Sequence, residues 1–178
     1  MGLATTIHAD QLTLSGGTDL AVELASQSAD HVLQITDSEI SRLARSEVTA
    51  GLLPLADVYM KCAFPPARKM IDAGVRVALA TDFNPGTCPS MDISLVGLLA
   101  RLEMAMSLPE VISAYTVGAA HALGLADVVG SIELGKRADF LCTKADWTDL
   151  FYSAGKSFVD HVYCGGSQFR ELKLRTML

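Results

Sequence analysis

The sequence predicts an α/β fold: about the last four βα units of a (β/α)8 TIM barrel, followed by a small C-terminal β segment. Three observations predict it. Short apolar runs alternate with amphipathic stretches through the first two-thirds of the chain, the signature of parallel βα units. Four such runs start near residues 3, 29, 48 and 75, and a closed barrel takes eight units in roughly 250 residues. After Gly130 the texture changes to a turn-rich segment with two further β runs. The expected division is residues 1–129 for the barrel portion and 130–178 for the small β segment.

Leu3 to Ile7 is a short β-tolerant run closed by His8. Gly16-Gly17 breaks the chain, and Leu20, Ala21, Leu24 and Ala25 then recur at helical spacing through Thr18 to Ser26. Ala29 to Ile35 reads as the second strand, and Thr36 or Asp37 opens a helix with Glu39 and Glu47 on its outer face. Val48 to Leu55 reads as a buried third strand. Pro65-Pro66 opens a short helix through Ala73, and Gly74 stops it. Val75 to Ala80 is the fourth strand. Met91 to Leu125 reads as two helices divided at Ser107, which can cap, with Pro109 in a first turn; Met91, Met104 and Met106 read as core filler. Strands are then expected at Phe140 to Thr143 and Phe158 to Cys164, ending at Gly165-Gly166, while Arg170 to Leu178 has no assigned place. Four strands without partners leave two open edges and an apolar inner face, which invites pairing.

Composition narrows the classes. Of 178 residues, 50% are apolar and 19% charged, which excludes disorder. The balance of 14 basic against 20 acidic residues gives −6 without a basic stripe, so no nucleic-acid partner is expected. The mean hydropathy of +0.33 is high, yet no run reaches the roughly 18 uncharged apolar residues of a membrane helix. No basic, apolar leader opens the sequence, and its four cysteines form no CxxC pair. A cytoplasmic, soluble protein is expected.

Parallel β/α folds gather chemistry at the carboxyl ends of their strands. His8, His31 and Asp82 fall at or near that edge, and imidazole plus carboxylate suits Zn²⁺ or Fe²⁺. Each has a plainer reading: His8 as a solvated strand-end residue, Asp30-His31 as a surface pair, Asp82 as the cap of its Pro-Gly turn. His121 reads as structural, His161 as facing solvent or a neighbouring strand, and Cys88 as a small buried hydrophobe.

His8-Ala9-Asp10-Gln11-Leu12, Ser28-Ala29-Asp30-His31 and Ala80-Thr81-Asp82-Phe83-Asn84-Pro85-Gly86-Thr87, in that order and spacing, resemble the imidazolonepropionase family of metal-dependent amidohydrolases. Gly130 to Phe140 is similar to the segment with which many amidohydrolases re-enter their composite β domain. The likeness runs from about Leu3 to Gly165. It implies that His8 and Asp82 are ligands of one ion, Zn²⁺ or Fe²⁺/Fe³⁺. Gln11 would hydrogen-bond the substrate ring, and His31 would polarise its carbonyl or help activate the attacking water. Asn84, Gly86 and Thr87 would contact the substrate or its opened product. The implied reaction belongs to histidine degradation: metal-activated water opens the cyclic amide of 4-imidazolone-5-propanoate to N-formimidoyl-L-glutamate, with Asp82 carrying the proton.

The family also carries a His-x-His pair on its first barrel strand, giving two more ligands. The histidines here, at 8, 31, 121 and 161, form no such pair. The expectation is therefore a carboxyl-terminal portion, with low activity by itself. Its expected partners are a small-molecule substrate, no membrane, and either a second copy or a missing N-terminal half. Two alternatives stand beside it: another cyclic amidohydrolase or deaminase of the same superfamily, and a non-catalytic half-barrel module.

Overall fold

The structure is a computed structural model and describes residues 3–144 and 146–169. The Arg170 to Leu178 stretch lies outside the described residues. Strand β1 (Thr6–Ala9), helix α1 (Gly17–Glu23), β2 (Ser28–His31), α2 (Asp37–Leu43) and β3 (Thr49–Leu52) follow in order. Next come α3 (Pro54–Met60), α4 (Ala67–Asp72), β4 (Val77–Leu79), α5 (Ile93–Leu102) and α6 (Leu108–Ser113). A π-helical turn (Ala114–Gly118) joins α6 to α7 (Ala119–Ala122). Strands β5 (Phe140–Thr143), β6 (Val159–Cys164) and β7 (Ser167–Phe169) form an antiparallel sheet.

The first four strands pair in sequence order, all parallel. Parallel neighbours cannot be joined by a tight hairpin, so each connection carries a helix. The register sets Ile7, Ala29, Ala50 and Val77 in one layer and His8, Asp30, Gly51 and Ala78 in the next. Side chains alternate across a strand, so these layers face opposite sides. Ala29, Ala50, Leu52, Val77 and Leu79 are buried in one cluster with Ile40, Leu43, Leu55 and Met70 of the helices, which identifies the covered face. The opposite face carries His8, Asp30 and Gly51, with Ser28 and Thr49 behind them. It is polar and small, where the sequence suggested an apolar inner face.

Several boundaries differ from expectation for local reasons. The second strand stops at His31 because His31 and Val32 turn to φ of 78° and 50°, outside the β region. The third stops at Leu52, since Pro54 cannot donate to a ladder and instead starts α3, a helix the apolar run concealed. Glu39 is buried, not outward: its carboxylate accepts from the backbone N–H (2.8 Å) and hydroxyl (2.7 Å) of Thr36, closing a capping box. Met104 and Met106 are core residues, but Met91 is 70% exposed. Ser107 is the N-cap of α6 with Pro109 in its first turn, as expected, and it closes a capping box with Glu110. Beyond the two β runs read from the sequence, Gly165-Gly166 turns the chain into β7.

Two close approaches lock the helices down. A Cβ at Gly118 would lie 2.0 Å from the Val77 carbonyl oxygen, so only glycine lets the π-helical turn meet β4. At Gly97 a Cβ would lie 2.3 Å from the Phe151 ring, and Leu150, Phe151 and Phe158 join the same core as the parallel sheet. Arg68 spans α4 and α6 through paired 2.9 Å bonds to both Glu110 oxygens. Among the described residues no helix is long and apolar enough to cross a membrane. Gly118→Ala is expected to destabilise the fold by about 2 kcal/mol, as overpacking does; urea unfolding measures it, and an unchanged midpoint would contradict the contact.

Candidate active site

The site begins with backbone held in an unusual conformation. At the carboxyl ends of β1, β2 and β4, Asp10, His31 and Asp82 take φ of 46°, 78° and 56°. Non-glycine residues seldom occupy this region, at a cost of order 1 kcal/mol or more each. Such turns persist where neighbouring contacts over-determine them, and at Asp10 the contacts are explicit. Its buried carboxylate accepts from the backbone N–H of Ser15 (2.7 Å), Gly17 (3.2 Å) and Thr18 (2.8 Å), and from the hydroxyls of Ser15 (3.0 Å) and Thr18 (2.7 Å). Burial alone would raise this acid, but the bonds from Thr18 and Ser15 outweigh it and bring it down to about 2. The loop after His8 is thereby folded back onto the start of α1.

His8 projects from β1 into an exposed position, with its ring centroid 4.3 Å from that of His31. His31 is buried, and its Nε2 stands 4.0 Å from Asp82 Oδ2, longer than a hydrogen bond. Burial, then the charge of His8, lowers His31 to about 4, so it is neutral at pH 7. Its Nδ1 is buried without a partner. Asp82 is about one-third exposed at 32%, and burial raises it against the opposing pull of His8. The three residues read from the sequence as edge residues do meet, and the surface-pair reading of Asp30-His31 gives way to a half-buried Asp30 beside a buried His31.

The other anticipated residues hold different positions. Gln11 is buried, with its Nε2 3.5 Å from Met60 Sδ on α3. Asn84, Gly86 and Thr87 bond to one another: Asn84 Oδ1 accepts from the Gly86 (2.9 Å) and Thr87 (2.7 Å) backbone N–H, and its Nδ2 donates to the Asp82 carbonyl (2.8 Å). Asn84, not the Asp82 side chain, braces that turn. Cys88 is buried, and its thiol donates to the Thr81 carbonyl. His121 lies in α7 and His161 is exposed on β6 with Nδ1 2.9 Å from Gln168 Nε2, both away from the cluster.

Sequence reasoning missed two acids. Asp30 stands level with His8 in the strand register and is raised by burial, an effect that its Ser28 hydrogen bond and His8 oppose. Asp57, on α3, is fully buried with neither oxygen hydrogen-bonded, and burial followed by the Asp82 charge raises it to about 7. Its signal was present: an acid inside an otherwise apolar run just after a proline.

His8 and Asp82 fit a zinc- or iron-type ion in kind, nitrogen plus carboxylate oxygen. They fall short in number. Among the described residues no three His, Cys, Asp or Glu side chains are grouped to hold a metal ion.

A sequence profile described as amidohydrolase family matches residues 6–168. The chain belongs to the amidohydrolase family. It is 62% identical over 168 residues to an imidazolonepropionase of Bdellovibrio bacteriovorus, covering 94% of this chain and 40% of that protein. It is 44% identical over 166 residues to an imidazolonepropionase of Porphyromonas gingivalis, covering 93% and 39% respectively. This amidohydrolase chain thus spans about 40% of the length of such curated relatives. Among solved structures it superposes on an adenosine deaminase from Xanthomonas campestris with bound zinc (TM-score 0.80, 23% identity, 93% of this chain and 45% of that one). It also superposes on atrazine chlorohydrolase TrzN from Arthrobacter aurescens complexed with zinc (TM-score 0.78, 20% identity, 93% and 44%). At such identities these two establish the α/β fold alone.

The Asp10 brace makes a pH-dependent prediction. A carboxyl lowered from 3.8 to about 2 adds stability that is complete above its unfolded value and lost as pH falls through the folded one. Asp10→Asn should remove about 2 kcal/mol at pH 7 and flatten the stability curve on the acid side. Urea unfolding across that range checks it; parallel curves for the two proteins would contradict the assignment.

Proposed function

We propose that this chain is the carboxyl-terminal part of an imidazolonepropionase-type hydrolase. Residues 1–129 form the later βα units of a (β/α)8 barrel, and residues 130–178 belong to its small β domain. The enzyme opens the cyclic amide of 4-imidazolone-5-propanoate in the cytoplasm. The observation that carries this reading is the convergence of His8, His31 and Asp82, with His31 4.3 Å ring to ring from His8 and 4.0 Å from Asp82. The 62% identity to the Bdellovibrio imidazolonepropionase supports the choice of substrate.

His8 and Asp82 would hold one zinc or iron ion together with donors from outside this chain. When bound, the ion supplies Lewis acidity for the amide carbonyl and the attacking water. The residues of this chain do the rest. Asp82, already raised toward the protonated form by burial, accepts the proton of the attacking water and delivers it to the leaving ring nitrogen. His31, neutral at pH 7, donates from its imidazole to the ring carbonyl as charge develops there. Asn84, Gly86 and Thr87 present a pre-bonded turn at the rim, and Gln11 flanks the ring. The buried Asp10 carboxylate keeps this edge in shape without touching substrate.

The decisive experiment joins the chain to the part of the Bdellovibrio relative that it does not match. With zinc or iron supplied, this fusion is expected to hydrolyse imidazolone propanoate, whereas the chain alone shows no measurable turnover and weak metal binding. In the fusion, His8→Ala and Asp82→Ala should each lower kcat/KM on the order of 10³-fold or more. Full turnover by the chain alone, or by either variant, would overturn the reading.

A further inference from the structure

The layer of the sheet that holds His8, beneath His31 and Asp82, is unevenly filled. Reading across the strands it contains His8, Asp30, Gly51 and Ala78, all on the face away from the helices. Gly51 carries no side chain and Ala78 only a methyl, so β3 and β4 present little bulk in this layer. The Asp30 carboxylate reaches sideways over Gly51. A Cβ placed on Gly51 would lie 2.2 Å from Asp30 Oδ1 and 3.2 Å from its carboxyl carbon. Gly51 has no positive φ to explain it; the close approach of the carboxylate is what requires glycine. Asp30 remains half-buried rather than sealed, and the Ser28 hydroxyl bonds its carboxylate.

We propose that Asp30, seated over Gly51, is the floor of the site and accepts a hydrogen bond from a ring N–H of the bound cyclic amide. The inference rests on the proposed function for its choice of ligand. Its chemistry follows from the donor inventory: a cyclic amide offers planar N–H donors, and an ionised carboxylate is an acceptor on both oxygens. His8 stands beside Asp30 in this layer and Asp82 follows the end of β4 above it, so a ring whose carbonyl points toward Asp82 and His31 turns its N–H edge to Asp30. The carboxylate then selects rings that carry an N–H over those alkylated at nitrogen, because a methyl placed there displaces water from the acceptor without supplying a hydrogen bond in return.

The test uses the chain itself, with hydantoin and 1,3-dimethylhydantoin as probes, the first bearing ring N–H groups and the second none. Amide resonances are followed by NMR in millimolar titrations with zinc present, alongside a separate zinc titration. Hydantoin is expected to move the Asp30 and Gly51 amides and to bind about tenfold more tightly than its dimethyl form. Asp30→Asn should lose that preference while keeping its spectrum dispersed. Gly51→Ala should lose it too by displacing the carboxylate, and unfolding of this second variant leaves Asp30→Asn to decide. Equal binding of the two probes, an unchanged preference in Asp30→Asn, or no hydantoin binding would each overturn the inference. Hydrolysis by the fusion reports on the proposed function separately. If hydrolysis by the fusion is absent while the Asp30 preference persists, the proposed function fails and the floor contact stands.

Discussion

The parallel register of the first four strands is the constraint on which the site depends. A slip of one residue in β2 would turn Asp30 toward the helices and Ala29 toward the open face, because side chains alternate strictly along a strand. The covered face tolerates no such exchange: Ala29, Ala50 and Leu52 are fully buried against the helices, and a carboxylate there would be costly without a partner. Burial of small apolar residues on one side thus fixes which polar residues stand on the other. The geometry of the candidate site is inherited from core packing.

Beyond the strands, local hydrogen bonding and left-handed turns take over. Asp10 gathers five donors from Ser15, Gly17 and Thr18, which offsets the cost of its own positive φ. Asn84 plays the corresponding part after β4, bonding Gly86 and Thr87 so that Asp82 sits at the head of a braced turn. His31 and Val32 turn together, and His31 is brought against His8 although its register partner is Ala9. Pre-set groups of this kind need little reorganisation when charge develops in a reaction.

Much of this was legible in the sequence. Apolar runs near residues 3, 29, 48 and 75 located all four parallel strands, and Ser107 with Pro109 located the break between helices, because burial and capping leave local signatures. His8, His31 and Asp82 could be placed at one edge from topology alone. What stayed hidden depends on contacts between distant residues. Glu39 looks like a surface acid until its capping role is known, and the helix from Pro54 disappears inside an apolar run. Gly51 is silent until the neighbouring strand brings Asp30 across it. Asp57 could have been suspected from its apolar surroundings, but its place near Asp82 belongs to the fold. The family likeness, not the spacing of residues, is what suggests the metal and substrate of the proposed function; spacing alone left a plain hydrogen-bonded cluster open beside a metal site.

The central claim is that His8 and Asp82 share one cation. Anomalous diffraction at the zinc edge, on crystals of the chain fused to the unmatched part of the Bdellovibrio relative and grown with zinc, addresses it directly. The account predicts a peak about 2.0–2.2 Å from both an imidazole nitrogen of His8 and a carboxylate oxygen of Asp82. A peak held by other side chains, or an electron density map that puts His8 and Asp82 on separate rims of the sheet, would contradict it.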